Sequence, residues 1–199
     1  MAHIDYFCAA ISPYVYLCGD RPAQIAARHG ATITYRPVDA AAVMTRTGGV
    51  ALPDRHPSRQ AYRLQDLVRR AARLEMPLVP KPAFFPTNPA PASYALIAVQ
   101  DAGGDAGAFL AAITAACWAQ GRDVSDDDVI RDCLTAAGCD PRLADKGLLA
   151  GAEAYHRNTE EAVRTGVFGV PFFVTDTDQR FWGEDRLDDL DAYLGGKLS

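Results

Sequence analysis

The 199-residue chain has no Cys-x-x-Cys, no basic run and no long apolar stretch. Its five cysteines, Cys8, Cys18, Cys117, Cys133 and Cys139, are odd in number, and their spacing excludes a zinc knuckle and a redox dithiol. No window approaches ~18 uninterrupted apolar residues, so no membrane-spanning helix is expected. The opening Met-Ala-His-Ile-Asp lacks a basic segment followed by an apolar one, so no signal peptide is expected. Net charge is −5 without a basic cluster, which argues against nucleic acid as main partner. Metal is not expected either. Asp126, Asp127 and Asp128 are better explained by a helix N-terminus, and the four histidines stand at no ligand spacing. These absences point to a cytoplasmic protein with reduced thiols. The 49% hydrophobic fraction excludes disorder, and the length suits one domain, or one core with a large insertion.

Two short strands are expected at 4–8 and 32–38, the second with β-branched alternation. Between them, residues 13–29 read as one helix, with Ser12 as N-cap, Pro13 at the first helical position and Gly30 ending it. Residues 40–57 carry Gly48, Gly49, Pro53 and Pro57 and read as a loop. A helix follows over 59–75, then a connection over 76–91 whose six prolines make it rigid and extended. Further helices are expected at 91–101, 105–120, 125–137 and 140–165, the last broken near Gly151. Ser125 and Asp128 form the capping pattern for the third of these. The run 170–175, a turn, and 180–182 read as a hairpin, and 184–193 as a closing helix.

The order is βαβ, a block of helices, then ββα. That is an α/β chain with a thioredoxin-like fold carrying a large all-helical insertion between its two halves. The expected division is 1–40 and 166–199 for the thioredoxin-like domain and 41–165 for the inserted helical domain. In this fold a redox cysteine pair occupies the first turn of the first helix. Here that turn reads Ser12-Pro13-Tyr14-Val15, and a serine and a valine cannot form a disulfide. Pro171 opens the third strand, where the fold places a cis-proline facing the helix start, and a cis Val170-Pro171 bond is expected.

Several stretches, in order along almost the whole chain, carry a resemblance. They are Ile4-Asp5-Tyr6-Phe7, Ser12-Pro13-Tyr14-Val15-Tyr16-Leu17, Tyr62 with Asp66-Leu67 and Arg70-Ala71, and Phe85-Pro86-Thr87-Asn88. Gly121-Arg122-Asp123-Val124-Ser125-Asp126 follows, then Gly169-Val170-Pro171-Phe172-Phe173 and Phe181-Trp182-Gly183-Glu184-Asp185-Arg186. The chain resembles the 2-hydroxychromene-2-carboxylate isomerases, glutathione-dependent relatives of the kappa-class glutathione transferases and of the DsbA proteins. Two positions depart from the pattern: Ala9 stands where relatives commonly carry aspartate, and Pro89 where threonine is common.

The resemblance implies that glutathione binds with its sulfur beside Ser12. A free thiol of pKa ~8.5 is only about 3% ionised at neutral pH, and lowering it two units needs ~2.7 kcal/mol. A hydroxyl-to-thiolate hydrogen bond supplies roughly 1.5–3 kcal/mol, and a helix N-terminus ~0.3–1 more. The resemblance further implies that Val170, freed by a cis Pro171, pairs with the tripeptide backbone. Asp185 and Arg186 would hold its α-amino group and a carboxylate, and Asn88 would lie near both ligands. The implied reaction interconverts 2-hydroxychromene-2-carboxylate and trans-o-hydroxybenzylidenepyruvate by reversible thiolate addition, in aromatic-hydrocarbon catabolism. Tyr14, Arg59, Asn88 and Trp182 are the candidates for contact with that small aromatic carboxylate, Arg59 as the cation. A kappa-like transferase or peroxidase and a non-catalytic binding protein stay open as alternatives, as does a homodimeric assembly.

Overall fold

Four strands form a single sheet in the computed structural model, which describes residues 1–146 and 148–198. They are β1 (His3–Cys8), β2 (Thr32–Pro37), β3 (Phe172–Thr175) and β4 (Arg180–Trp182), in spatial order β2-β1-β3-β4. β1 and β2 are parallel, with Ile4 opposite Ile33, while β3 runs antiparallel to β1, with Phe7 opposite Phe172. β4 completes the hairpin, with Trp182 opposite Phe172. This is the expected thioredoxin arrangement, and among the described residues the span between β2 and β3 holds only helices and connections.

The first crossover differs from the single helix expected over 13–29. It is split into α1 (Pro13–Tyr16) and α2 (Arg21–Arg28). Gly19 takes φ +56, a left-handed conformation that ends the first turn, and Pro22 sits in the opening turn of α2, where its missing N–H costs nothing. The stretch 40–57, expected as loop, contains α3 (Ala40–Arg46). Asp39 caps it, its Oδ1 accepting from the Ala41 and Ala42 N–H groups at 3.0 Å each.

The block continues as α4 (Pro57–Arg73), α5 (Ala90–Asp101), α6 (Ala106–Trp118), α7 (Asp127–Ala136) and α8 (Leu148–Arg164), and α9 (Leu187–Leu194) closes the chain. The cap of α7 is Asp126, which accepts from Asp128 N at 2.8 Å; Ser125 instead bonds Asp123. A 3-10 turn (Pro141–Ala144) precedes α8, which runs unbroken through Gly151. A Cβ at that glycine would lie 2.9 Å from Tyr94 Cβ, so the residue serves close packing of α8 on α5 and not a break. The closing helix begins later than expected, after a 3-10 turn over Glu184–Arg186.

Alternation along the strands divides the core. Ile4, Tyr6 and Phe173 face one way and join Leu17, Leu96, Phe109 and Trp118 in a single buried cluster. Phe7, Phe172 and Val174 face the other way, against Val43 of α3 and Ala162 of α8. Each large apolar side chain so buried contributes ~1.5–3 kcal/mol. The larger cluster runs from the sheet into the helical block without interruption. On the opposite face the chain's exit from β2 and the last turns of α8 are tied together. Asp39 N donates to Thr159 Oγ1 at 3.0 Å, and Asn158 Nδ2 to the Pro37 carbonyl at 3.2 Å.

Candidate active site

The end of β1 delivers the chain to Ser12, whose extended backbone (φ −81, ψ 125) makes it the N-cap of α1. Its Oγ accepts from Val15 N at 3.3 Å, a long bond. The hydroxyl's own proton is given to no acceptor among the described residues, and the side chain is half-buried. Because α1 has only four residues, few amides align behind Ser12. Any helix contribution at Ser12 is thus smaller than a 17-residue helix would give.

Pairing of Phe7 with Phe172 sets Pro171 beside the end of β1, next to the Ser12 turn. The Val170-Pro171 bond is cis, as expected, and a second cis bond, Phe85-Pro86, lies in the proline-rich connection. The Pro171 carbonyl accepts from Gly183 N at 3.0 Å. Neither the N–H nor the carbonyl of half-buried Val170 bonds to a described residue.

Four of the five cysteines are buried and do not compete with Ser12 for chemistry. Cys8 and Cys18 are buried, and burial drives the Cys8 thiol's pKa far up and that of Cys18 to about 12. Cys117 and Cys133 are likewise pushed up by burial, to about 12 and about 11.

A charged network runs from the site into the core. Tyr14 Oη donates to Asp66 at 3.2 Å, and Asp66 is bound by Arg70 at 3.0 Å, one turn on along α4. Arg70 also holds Glu184 and, at 3.3 Å, Asp185. Arg21 of α2 binds the other oxygen of Glu184 at 2.9 Å. Glu184 is only 4% exposed, so this carboxylate depends on its two arginines for charge compensation. Burial, then the charge on Asp66, pushes the Tyr14 hydroxyl's pKa up to about 12, so it is a neutral donor at physiological pH. Asp185 and Arg186 are exposed beside the network. The Arg186 guanidinium donates from Nη1 to the Asp185 carbonyl at 3.4 Å and reaches the carboxylates of Asp185 and Asp189 only at 3.7 and 3.9 Å, leaving most of its donors accessible.

The remaining expected residues are placed unevenly. Asn88 is exposed and its Oδ1 accepts from Ala90 N at 3.1 Å, which starts α5 and leaves Nδ2 open. Arg59 is exposed on α4. One turn further along that helix, Arg63 is half-buried, its guanidinium carbon 5.9 Å from the ring centres of both Phe85 and Trp118. Trp118 donates from Nε1 to the Ile11 carbonyl at 3.1 Å, so this aromatic pair abuts the residue before Ser12. Trp182 is about half exposed and packs edge-on against Phe168 at 4.8 Å. Its register opposite Phe172 puts it on the sheet face away from α1, so the fold does not bring it to Ser12.

Sequence reasoning missed Arg63 and the buried role of Glu184. The available signal was the polar stripe Arg63, Asp66 and Arg70, which share one face of α4 beside apolar Leu67 and Ala71.

Comparison with known proteins fits this architecture. The family model of the DsbA-like thioredoxin domain matches residues 3–195. A 2-hydroxychromene-2-carboxylate isomerase of Sphingobium xenophagum is 33% identical over 195 residues, covering 96% of this chain and 97% of the relative. The chain belongs to the 2-hydroxychromene-2-carboxylate isomerase family. A solved structure of an isomerase of this name superposes with a TM-score of 0.76 at 28% identity, covering 98% of this chain and 95% of the other. The cytosolic disulfide reductase DsbM from Pseudomonas aeruginosa, solved with GSH, shares the fold at TM-score 0.67 and 20% identity, with 98% of each chain covered. In this chain the first turn of α1 carries Ser12 and Val15, and neither is a cysteine.

Proposed function

We propose that this isomerase-family enzyme binds glutathione at Ser12 and interconverts 2-hydroxychromene-2-carboxylate and trans-o-hydroxybenzylidenepyruvate-type acids. The carrying observation is the half-buried Ser12 hydroxyl, its proton unassigned, at the turn where the fold's oxidoreductases hold a reactive sulfur. The residues fit a thiol tripeptide. Val170 presents an unbonded N–H and carbonyl, as a peptide backbone requires, and Asp185 and Arg186 present exposed charges of both signs for its termini.

When bound, glutathione supplies a thiolate whose reversible addition makes the alkene bond single, so that it can rotate. Ser12 donates its hydroxyl hydrogen to that sulfur and stabilises its charged form. Val170 fixes the tripeptide's register, and Asp185 and Arg186 select its ends. Asn88, through its open Nδ2, and the neutral hydroxyl of Tyr14 are donors at the border of the two ligands. The four buried thiols, Cys8, Cys18, Cys117 and Cys133, leave this chemistry to the ligand. Among the described residues no helix is long and apolar enough to cross a membrane, and reduced thiols favour a cytoplasmic setting.

Glutathione at millimolar concentration raises the melting temperature on this reading; no shift would sink it. Absorbance of 2-hydroxychromene-2-carboxylate, followed with and without glutathione, then separates isomerase from transferase. An isomerase reaches equilibrium without consuming glutathione, whereas a transferase depletes it stoichiometrically.

A further inference from the structure

Arg63 is set apart from the other buried or half-buried arginines. Arg21, Arg36, Arg70, Arg122 and Arg131 each hold at least one carboxylate. Arg55 uses its Nε on the Val50 carbonyl and a terminal nitrogen on the Met44 sulfur. Arg63 makes neither a hydrogen bond nor an ion pair among the described residues, though its guanidinium is partly withdrawn from water. What it does touch is aromatic, with Phe85 and Trp118 each 5.9 Å from its charge. Burial is the main influence disfavouring its charged form; Tyr14 acts in the opposite direction, and the nearby positive charge of Arg55 adds a smaller contribution on the side of burial. The Arg63 charge also reaches Tyr14, two residues from Ser12.

A half-buried guanidinium with five unused donors is unfavourable until an acceptor completes it, and a carboxylate does so with two parallel hydrogen bonds. Phe85 is itself only half-buried and offers ring surface beside those donors. A charge and a flat apolar surface side by side match one ligand class: an aromatic ring or conjugated chain bearing a carboxylate. The tripeptide's own carboxylates lack the flat partner.

We infer that Arg63, backed by Arg55 and flanked by Phe85, binds the carboxylate of the aromatic acid, in place of the exposed Arg59. Only the identity of that acid rests on the proposed isomerase function; the binding site itself does not need it.

The test is calorimetric titration with trans-cinnamate and with its uncharged analogue cinnamamide. The wild-type chain is expected to prefer the acid by roughly 10- to 100-fold, the range for hydrogen bonds to a charged group. Arg63→Met removes that preference, Arg63→Lys keeps part of it, and Arg59→Ala leaves it unchanged. Arg63→Gln gives the same loss if the methionine variant does not fold. An acid preference that survives both Arg63→Met and Arg63→Gln, or one that disappears in Arg59→Ala, overturns the inference. So does a loss of S-methylglutathione binding in Arg63→Met with cinnamate unaffected, which would assign Arg63 to the tripeptide. A wild-type chain that ignores S-methylglutathione but prefers cinnamate through Arg63 breaks the glutathione reading and leaves this one standing. Binding of S-methylglutathione without acid preference does the reverse.

Discussion

Arg63 and Arg70 lie seven residues apart on the same face of α4, yet one is surrounded by carboxylates and the other has none. Arg70 is shared by Asp66, Glu184 and Asp185 and ties α4 to the loop before α9. Arg63 touches only aromatic faces. Similar side chains on one helix face therefore serve different ends. An arginine whose donors are filled from within the chain fixes geometry, and one whose donors are unfilled is available to a ligand.

The largest effect is expected where the filled arginine is removed. Arg70→Met leaves buried Glu184 with Arg21 alone and should cost about 2–3 kcal/mol in urea unfolding. That is below the ~3–5 kcal/mol of a fully buried pair because Arg70 is partly solvated. An unchanged midpoint would mean the network is no more than a surface one. Ser12→Ala comes next, with a rate loss of ~10- to 100-fold if the hydroxyl supplies roughly 1.5–3 kcal/mol to the thiolate. A rate within twofold of wild type would move that role to the α1 amides. Tyr14→Phe removes the bond to Asp66 and should cost ~1 kcal/mol of stability, measured by the same unfolding curves; no change would detach Tyr14 from the network.

Arg63→Met is the counterpart of Arg70→Met and should change stability by no more than ~0.5 kcal/mol, or raise it, since no carboxylate or hydrogen-bond partner is lost and methionine keeps an apolar contact with the Phe85 and Trp118 rings. A destabilisation as large as that of Arg70→Met would erase the contrast. Smallest is the thiol count. Of five cysteines four are buried, so a chromogenic disulfide reagent should titrate no more than one thiol, Cys139, before unfolding. Rapid reaction of a second would place a reactive cysteine near the site.

The proposed glutathione half of the site was more legible in the sequence than the proposed acid half. Ser12, Val170 and Pro171 occupy positions set by a strand end, a helix start and a hairpin, all of which leave local signals. Gly19 and Pro22 together marked a break between α1 and α2, but the length of the stretch between the two strands suggested one helix. Asp39 before a run of alanines is a cap signal for α3, and the glycines and prolines that follow obscured it. The acid half depends on which of two arginines on one helix points inward. Arg59 and Arg63 are four residues apart, and only the packing of Phe85 and Trp118 against α4 separates them. Trp182 failed for a related reason: its side of the sheet follows from a register that alternation in a three-residue strand does not determine.

The two hydrogen bonds that join the exit of β2 to the end of α8 have a mechanical consequence. Asp39 and Pro37 stand where the helical block begins, and Thr159 and Asn158 near where it ends, more than a hundred residues later. A segment whose entry and exit are fastened side by side, with a core continuous into its scaffold, has no free pivot about which to swing. The block is then a wall rather than a flap. In such a frame the spacing between Ser12 and Arg63 is already set before any ligand arrives.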